Sequence, residues 1–133
     1  MKRKIKPKNP VFYPLCEAVI NDDMASFNEL IETGVEIDGT DYNGLTALFY
    51  AAEYGRVEMA RKLLQKGADI EFRDSYGNTP LWRACMNDIR NGEEMIHLLL
   101  SYGADVNAEN IRGISPKELA RTTWNFPEIE ELK

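Results

Sequence analysis

Residues 75–86 read SYGNTPLWRACM, and the part from Gly77 to Leu81 decides what kind of molecule this is. Alone, a Gly followed by Thr-Pro and a Leu-Trp pair suits an active-site loop as well as a structural corner. Repetition separates the two. Gly77-Asn78-Thr79-Pro80-Leu81 recurs upstream as Gly44-Leu45-Thr46-Ala47-Leu48 and downstream as Gly113-Ile114-Ser115-Pro116. A thinner copy, Tyr13-Pro14-Leu15, lacks the Gly and the Thr. A second marker keeps step: GVEID at 34–38, GADIE at 67–71 and GADVN at 103–107. Pro14 to Gly34 and Ala47 to Gly67 are equal spans, while Pro80 to Gly103 is longer, so the third copy carries a three-residue insertion. A fixed period of about 33 residues marks units that stack in a row.

Within each copy the residue chemistry predicts two short helices. A Thr hydroxyl (Thr46, Thr79) caps the first, and Pro80 suits its first turn. The second shows apolar pairs at i, i+1, i+4, i+5: Met59, Ala60, Leu63, Leu64, then Met95, Ile96, Leu99, Leu100, with Phe27, Leu30, Ile31 as a thinner version. It ends at Gly34, Gly67 or Gly103, placed for a left-handed cap. Asp41, Asp74 and Asn110 then lead into turns closed by Gly44, Gly77 and Gly113.

DYNGLTALFYAAEYGRVEMARKLLQKGADIE (41–71) and DSYGNTPLWRAC (74–85) with MIHLLLSYGADVN (95–107) resemble the ankyrin repeat family. The resemblance covers nearly the whole chain from about residue 9. It implies an all-α ankyrin-repeat solenoid of about four helix-turn-helix units with β-turn tips, the two end units degraded as capping units are. The units run about 9–40, 41–73, 74–109 and 110–133; the last is cut short, with a truncated second helix from Pro127. Residues 1–8 form a basic tail, expected to be disordered.

Proteins of this family bind other proteins through the turn tips and the first helices, which line a concave face. Carried onto this chain, the tip positions are Tyr42, Asn43, Leu45, Ser75, Tyr76, Asn78, Ile111, Arg112 and Ile114. The groove positions on the first helices are Tyr50, Glu53, Tyr54, Arg83, Met86 and Asn87, with Phe72 and Arg73 bordering the turns. Tyr and Arg are enriched among binding hot spots; packing between units is the plain alternative for Tyr50 and Phe72. Two departures stand out. Where the family carries a His after Pro-Leu, this chain has Cys16, Phe49, Trp82 and Glu118, so aromatic packing is expected to replace a polar tie. The insertion makes 86–92 (MNDIRNG) a longer loop, a further contact candidate.

Charge narrows the partner. Five of the 16 basic residues lie in residues 1–10, which hold no acid, leaving 11 against 22 acidic ones, a net of −11. So acidic a body repels phosphate backbones and attracts a protein with basic patches. The expected role is non-catalytic protein binding, in its sharpest form as an inhibitor such as a bacterial immunity protein against a basic toxin. The alternatives are an adaptor or regulatory subunit, and a nucleic-acid-associated protein acting through the basic arm.

Candidate chemistry is thin. His97 has no companion at ligand spacing, Cys16 and Cys85 lack CxxC spacing, and the acids of 69–74 miss the Gly and Glu of a calcium loop. No cofactor, no metal and no enzyme activity are expected. No apolar run approaches the length of a membrane-spanning helix. The two cysteines are too few for a disulfide framework and the start lacks a signal-peptide pattern, so a cytoplasmic protein is expected, and capped end repeats favour a monomer.

Overall fold

Three hydroxyl side chains at matching places start three helices. In a computed structural model that describes residues 13–86, 92–123 and 126–133, Thr46 Oγ1 accepts from the Phe49 N–H at 3.2 Å. Thr79 Oγ1 accepts from Trp82 and Ser115 Oγ from Glu118, each at 3.1 Å. Each bond satisfies a backbone donor that the first helical turn leaves without a partner. The first unit has Tyr13 in this place, and no side chain caps its helix.

The described residues form seven α-helices: α1 Pro14–Ile20, α2 Met24–Glu32, α3 Ala47–Tyr54, α4 Val57–Gln65, α5 Pro80–Met86, α6 Gly92–Ser101 and α7 Pro116–Thr123. They form no strand, only an isolated bridge between Thr40 and Thr46. The architecture is an all-α repeat solenoid. α3 packs between α1 and α5, and α5 also packs on α7, so the first helices make one layer. α2, α4 and α6 back them. α3 buries every residue from Ala47 to Ala52, because it has a neighbour on each side as well as behind.

Each second helix closes with a left-handed residue, Gly34, Gly67 or Gly103, at φ +83°, +89° and +90°. The next N–H then turns back onto the helix: Ala68 N donates to Leu63 O at 3.0 Å and Ala104 N to Leu99 O at 3.1 Å. In the fourth unit, where a truncated second helix is expected from Pro127, the chain forms a 3-10 turn over Glu130–Leu132. Its buried Leu132, with Ile129 just before it, closes the end of the core.

One apolar cluster runs through all the units, from Leu15 and Phe27 through Leu48, Met59, Leu63, Leu81, Met95 and Leu99 to Leu132. Polar ties cross the joints as well. Arg56, after α3, donates to Val19 O at 2.9 Å and Ile20 O at 2.8 Å, placing a cation on the carbonyl end of α1. Asp69 N donates to Asp38 at 2.9 Å, and Asp105 N to Glu71 at 2.8 Å, one unit on.

Candidate functional site

The tips owe their shape to one side chain each. Asp41 Oδ1 accepts from the N–H groups of Asn43 (2.9 Å) and Leu45 (3.3 Å). Asp74 Oδ1 does the same for Tyr76 (2.9 Å) and Asn78 (2.8 Å), and Asn110 Oδ1 for Arg112 (2.9 Å) and Ile114 (3.0 Å). These are Asx-type turns repeated three times. The carboxylates of Asp41 and Asp74 are thus engaged with their own backbone, and the acidity of the tips is structural.

The expected site residues divide into three groups by burial. Tyr42 and Tyr76, each 64% exposed, stand on the tips with Asn43, Ser75, Arg73 and Arg112 in the open beside them. Tyr54 and Met86 are exposed along the first helices. Leu45, Glu53, Phe72 and Arg83 are half-buried. Glu53 and Arg83 bind each other at 2.9 Å across the joint of units two and three. Tyr50 and Asn78 are buried. Tyr50 Oη donates to Asp41 Oδ2 at 2.6 Å and accepts from Asn43 Nδ2 at 3.0 Å, so it braces its own tip and offers no contact surface. Burial, then the Asp41 bond, pushes its phenol well above the usual tyrosine range. Asn78 Oδ1 accepts from Asn110 Nδ2 at 2.9 Å and ties the third tip to the fourth. Asn87, like most of the 86–92 insertion and the basic tail, lies outside the described residues.

Aromatic packing at the family's His position is uneven. Phe49 meets Phe72 edge to face, ring centroids 6.3 Å apart at 79°. Trp82 is buried, yet its indole N–H has no acceptor. It lines a cleft of about 190 Å3 between the tips of units three and four, together with Tyr76, Asn78, Asn110, Ile111 and Arg112. Sequence reasoning placed the tip residues but missed the cleft, which needs the two tips side by side. Tyr54 stacks on Tyr50 at 6.3 Å and 11°, and the Arg56 guanidinium lies 5.5 Å over its ring.

Among the described residues, no group of three or more His, Cys, Asp or Glu is placed to hold a metal ion, and no helix is long and apolar enough to cross a membrane. His97 is exposed, 3.8 Å from Glu93. Cys16 and Cys85 are buried thiols outside any disulfide, and burial pushes both up to about 12, away from nucleophilic thiolate.

Comparison with known proteins agrees with this geometry. Residues 14–110 match the family model for ankyrin repeats in three copies. The chain is 29% identical over 100 residues to an ankyrin repeat-containing protein of Schizosaccharomyces pombe, covering 74% of this chain and 45% of that protein. It is 35% identical over 116 residues to the ankyrin repeat, SAM and basic leucine zipper domain-containing protein 1 of Microcebus murinus (84% and 23%). It is 42% identical over 99 residues to the B-cell lymphoma 3 protein homolog of Mus musculus (74% and 21%). The chain thus spans less than half the length of each of these relatives. With the family model covering most of its length and the tips, caps and paired helices in register, the chain belongs to the ankyrin repeat family.

Proposed function

We propose that this chain binds another protein, without catalysis of its own, through the surface formed by its turn tips and first helices. The observation that carries the reading is the row of exposed Tyr42, Tyr54, Tyr76 and Met86 on rigidly held backbone. Large side chains held at little entropic cost are what binding hot spots use. The partner carries a basic surface. Because the tip carboxylates are engaged internally, attraction comes from the net negative field of the whole body, which speeds encounter more than it tightens the complex. In its sharper form the proposal is inhibition, as by an immunity protein that blocks a basic toxin.

The test is a pull-down comparing the full chain with a Tyr42→Ala, Tyr54→Ala, Tyr76→Ala variant whose folding is checked by circular dichroism. A basic protein held by the first and lost by the second is the expected result. Adding the purified chain to that protein's own activity assay separates inhibition from scaffolding. Equal retention by both forms removes this surface as the contact. A parallel deletion of residues 1–8 that abolishes salt-sensitive capture would shift the role to the basic arm.

A further inference from the structure

We infer that the cleft between the tips of units three and four receives one apolar side chain of a bound polypeptide, with the carboxylate of an adjacent residue held by Arg112. This rests on the protein-binding reading and specifies one contact within it. The joint that holds the cleft differs from the one before it. At the joint of units two and three, Phe72 in the arm entering the tip packs edge-on against Phe49. One unit along, Trp82 stands in the place of Phe49 and Ala108 in the place of Phe72. Ala108 brings no ring to Trp82, and beside Trp82 lies a cleft of about 190 Å3 lined by Tyr76, Asn78, Asn110, Ile111, Arg112 and Ile114.

Its walls are set before anything binds. Ile111 N donates to Tyr76 O at 3.0 Å, and Asn110 Nδ2 to Asn78 Oδ1 at 2.9 Å. Arg73 donates to Glu109 O at 2.9 Å and Gly77 O at 3.2 Å, spanning the same joint. A preformed recess spares the complex the cost of ordering loops. Its volume is below the roughly 300–1,000 Å3 of sites for whole small molecules, which suits a single side chain. Tyr76 and Ile111, 64% and 71% exposed, make the mouth apolar.

The charge at the rim selects what lies beside that side chain. Arg61, Arg83 and Arg121 are paired with Glu58, Glu53 and Glu118. Arg56 and Arg73 are taken up by backbone carbonyls. Among the described arginines, Arg112 alone has neither kind of side-chain partner, and it stands at the cleft. Its planar fork accepts a carboxylate in two bonds. Trp82, whose indole N–H is buried without an acceptor, lies on the same wall, so its signal reports on what enters the cleft. This local contact does not conflict with a partner that is basic overall. The body's field acts over distances up to about a Debye length, about 8 Å, and the Arg112 pairing acts on contact.

The experiment is selection of phage-displayed random heptapeptides on the immobilised full chain, followed by titration of the enriched peptides as synthetic, labelled probes. The expected result is enrichment of an apolar residue next to Asp or Glu. Binding should weaken at least tenfold with Arg112→Gln and with Ile111→Ser, which strips the apolar mouth, and stay unchanged with His97→Gln, exposed on α6. In the nitrogen–proton NMR spectrum the Trp82 indole N–H signal should move on titration, with Trp124→Phe identifying it. Arg112 is exposed, so its variant remains informative even if Ile111→Ser disturbs the fold. Failure to enrich the pair, or binding indifferent to Arg112→Gln, overturns the cleft. A pull-down with only Tyr42→Ala and Tyr54→Ala, which leaves Tyr76 at the cleft in place, judges the wider surface separately.

Discussion

Gly77 and Gly34 share a left-handed backbone, φ +80° and +83°, but not a neighbourhood. A Cβ on Gly34 meets nothing within 4 Å, whereas one on Gly77 comes within 3.0 Å of Ile111 N. Gly34→Ala should therefore cost only the left-handed penalty, about 1–2 kcal/mol. Gly77→Ala should cost more and loosen the bond from Ile111 to Tyr76. Urea unfolding of the two variants compares them directly. Arg56 carries a different load: Arg56→Met keeps the stem but strips the donors from two carbonyls of α1. A loss of about 2 kcal/mol is expected, since bonds to charged groups are worth about 1.5–3 kcal/mol. The buried thiols set the alkaline limit. Cys16 and Cys85 are raised from 9.0 to about 12, so the folded form favours the neutral thiol. The stability this confers is complete below pH 9 and fades as pH climbs toward 12. Tyr50 is raised as well and pushes the same way. Melting temperatures measured from pH 7 to 11 should hold and then fall. A flat profile through pH 11 would contradict this account of the core.

At the level of the helix, burial follows the number of neighbours. α3 buries six of its eight residues, while α7 buries only Pro116 and Ala120. Repeat stability is a sum of unit and nearest-neighbour terms, so a helix with weaker joints opens more easily. Native-state hydrogen exchange should find the amides of α3 and α4 most protected and those of α7 at least tenfold faster. Uniform protection across the units would mean the array opens as one body. The caps are equal in kind along the row, and α1 alone among the first helices starts without one. Its carbonyl end is tied to the next unit by Arg56, in addition to its apolar packing on α3.

Across the whole molecule, net charge and tip chemistry act separately. With a net of −11 outside residues 1–10, association with the basic partner should slow about tenfold or more between 50 and 500 mM salt. Dissociation should change far less, as seen by surface plasmon resonance. A salt-sensitive dissociation rate would instead place ion pairs at the centre of the contact. The acids of the third arm show the same division. Glu71 spends an oxygen on Asp105 N–H, and burial raises its carboxyl above the usual range.

The period, the helix pairs and the tips followed from sequence because each is local: a cap, a turn or a left-handed glycine is specified by residues within a few positions of one another. The exposed Tyr42, Tyr54 and Tyr76 were legible for the same reason. Tyr50 and Asn78 were not, since the register that marks them as groove or tip residues is blind to the partners that bury them. Asp41 lies 9 positions from Tyr50 and Asn110 lies 32 from Asn78. The second helix expected from Pro127 became a 3-10 turn, where Ile129 and Leu132 pack into the end of the core. Sequence alone determined the stacking of units and the row of tips, because those depend on short-range geometry repeated at a fixed interval. Only the tertiary structure decided which aromatic side chains stay exposed, which carboxylates are spent, and that a cleft opens beside Trp82 between the tips of units three and four. Those outcomes depend on what the next unit places against each side chain.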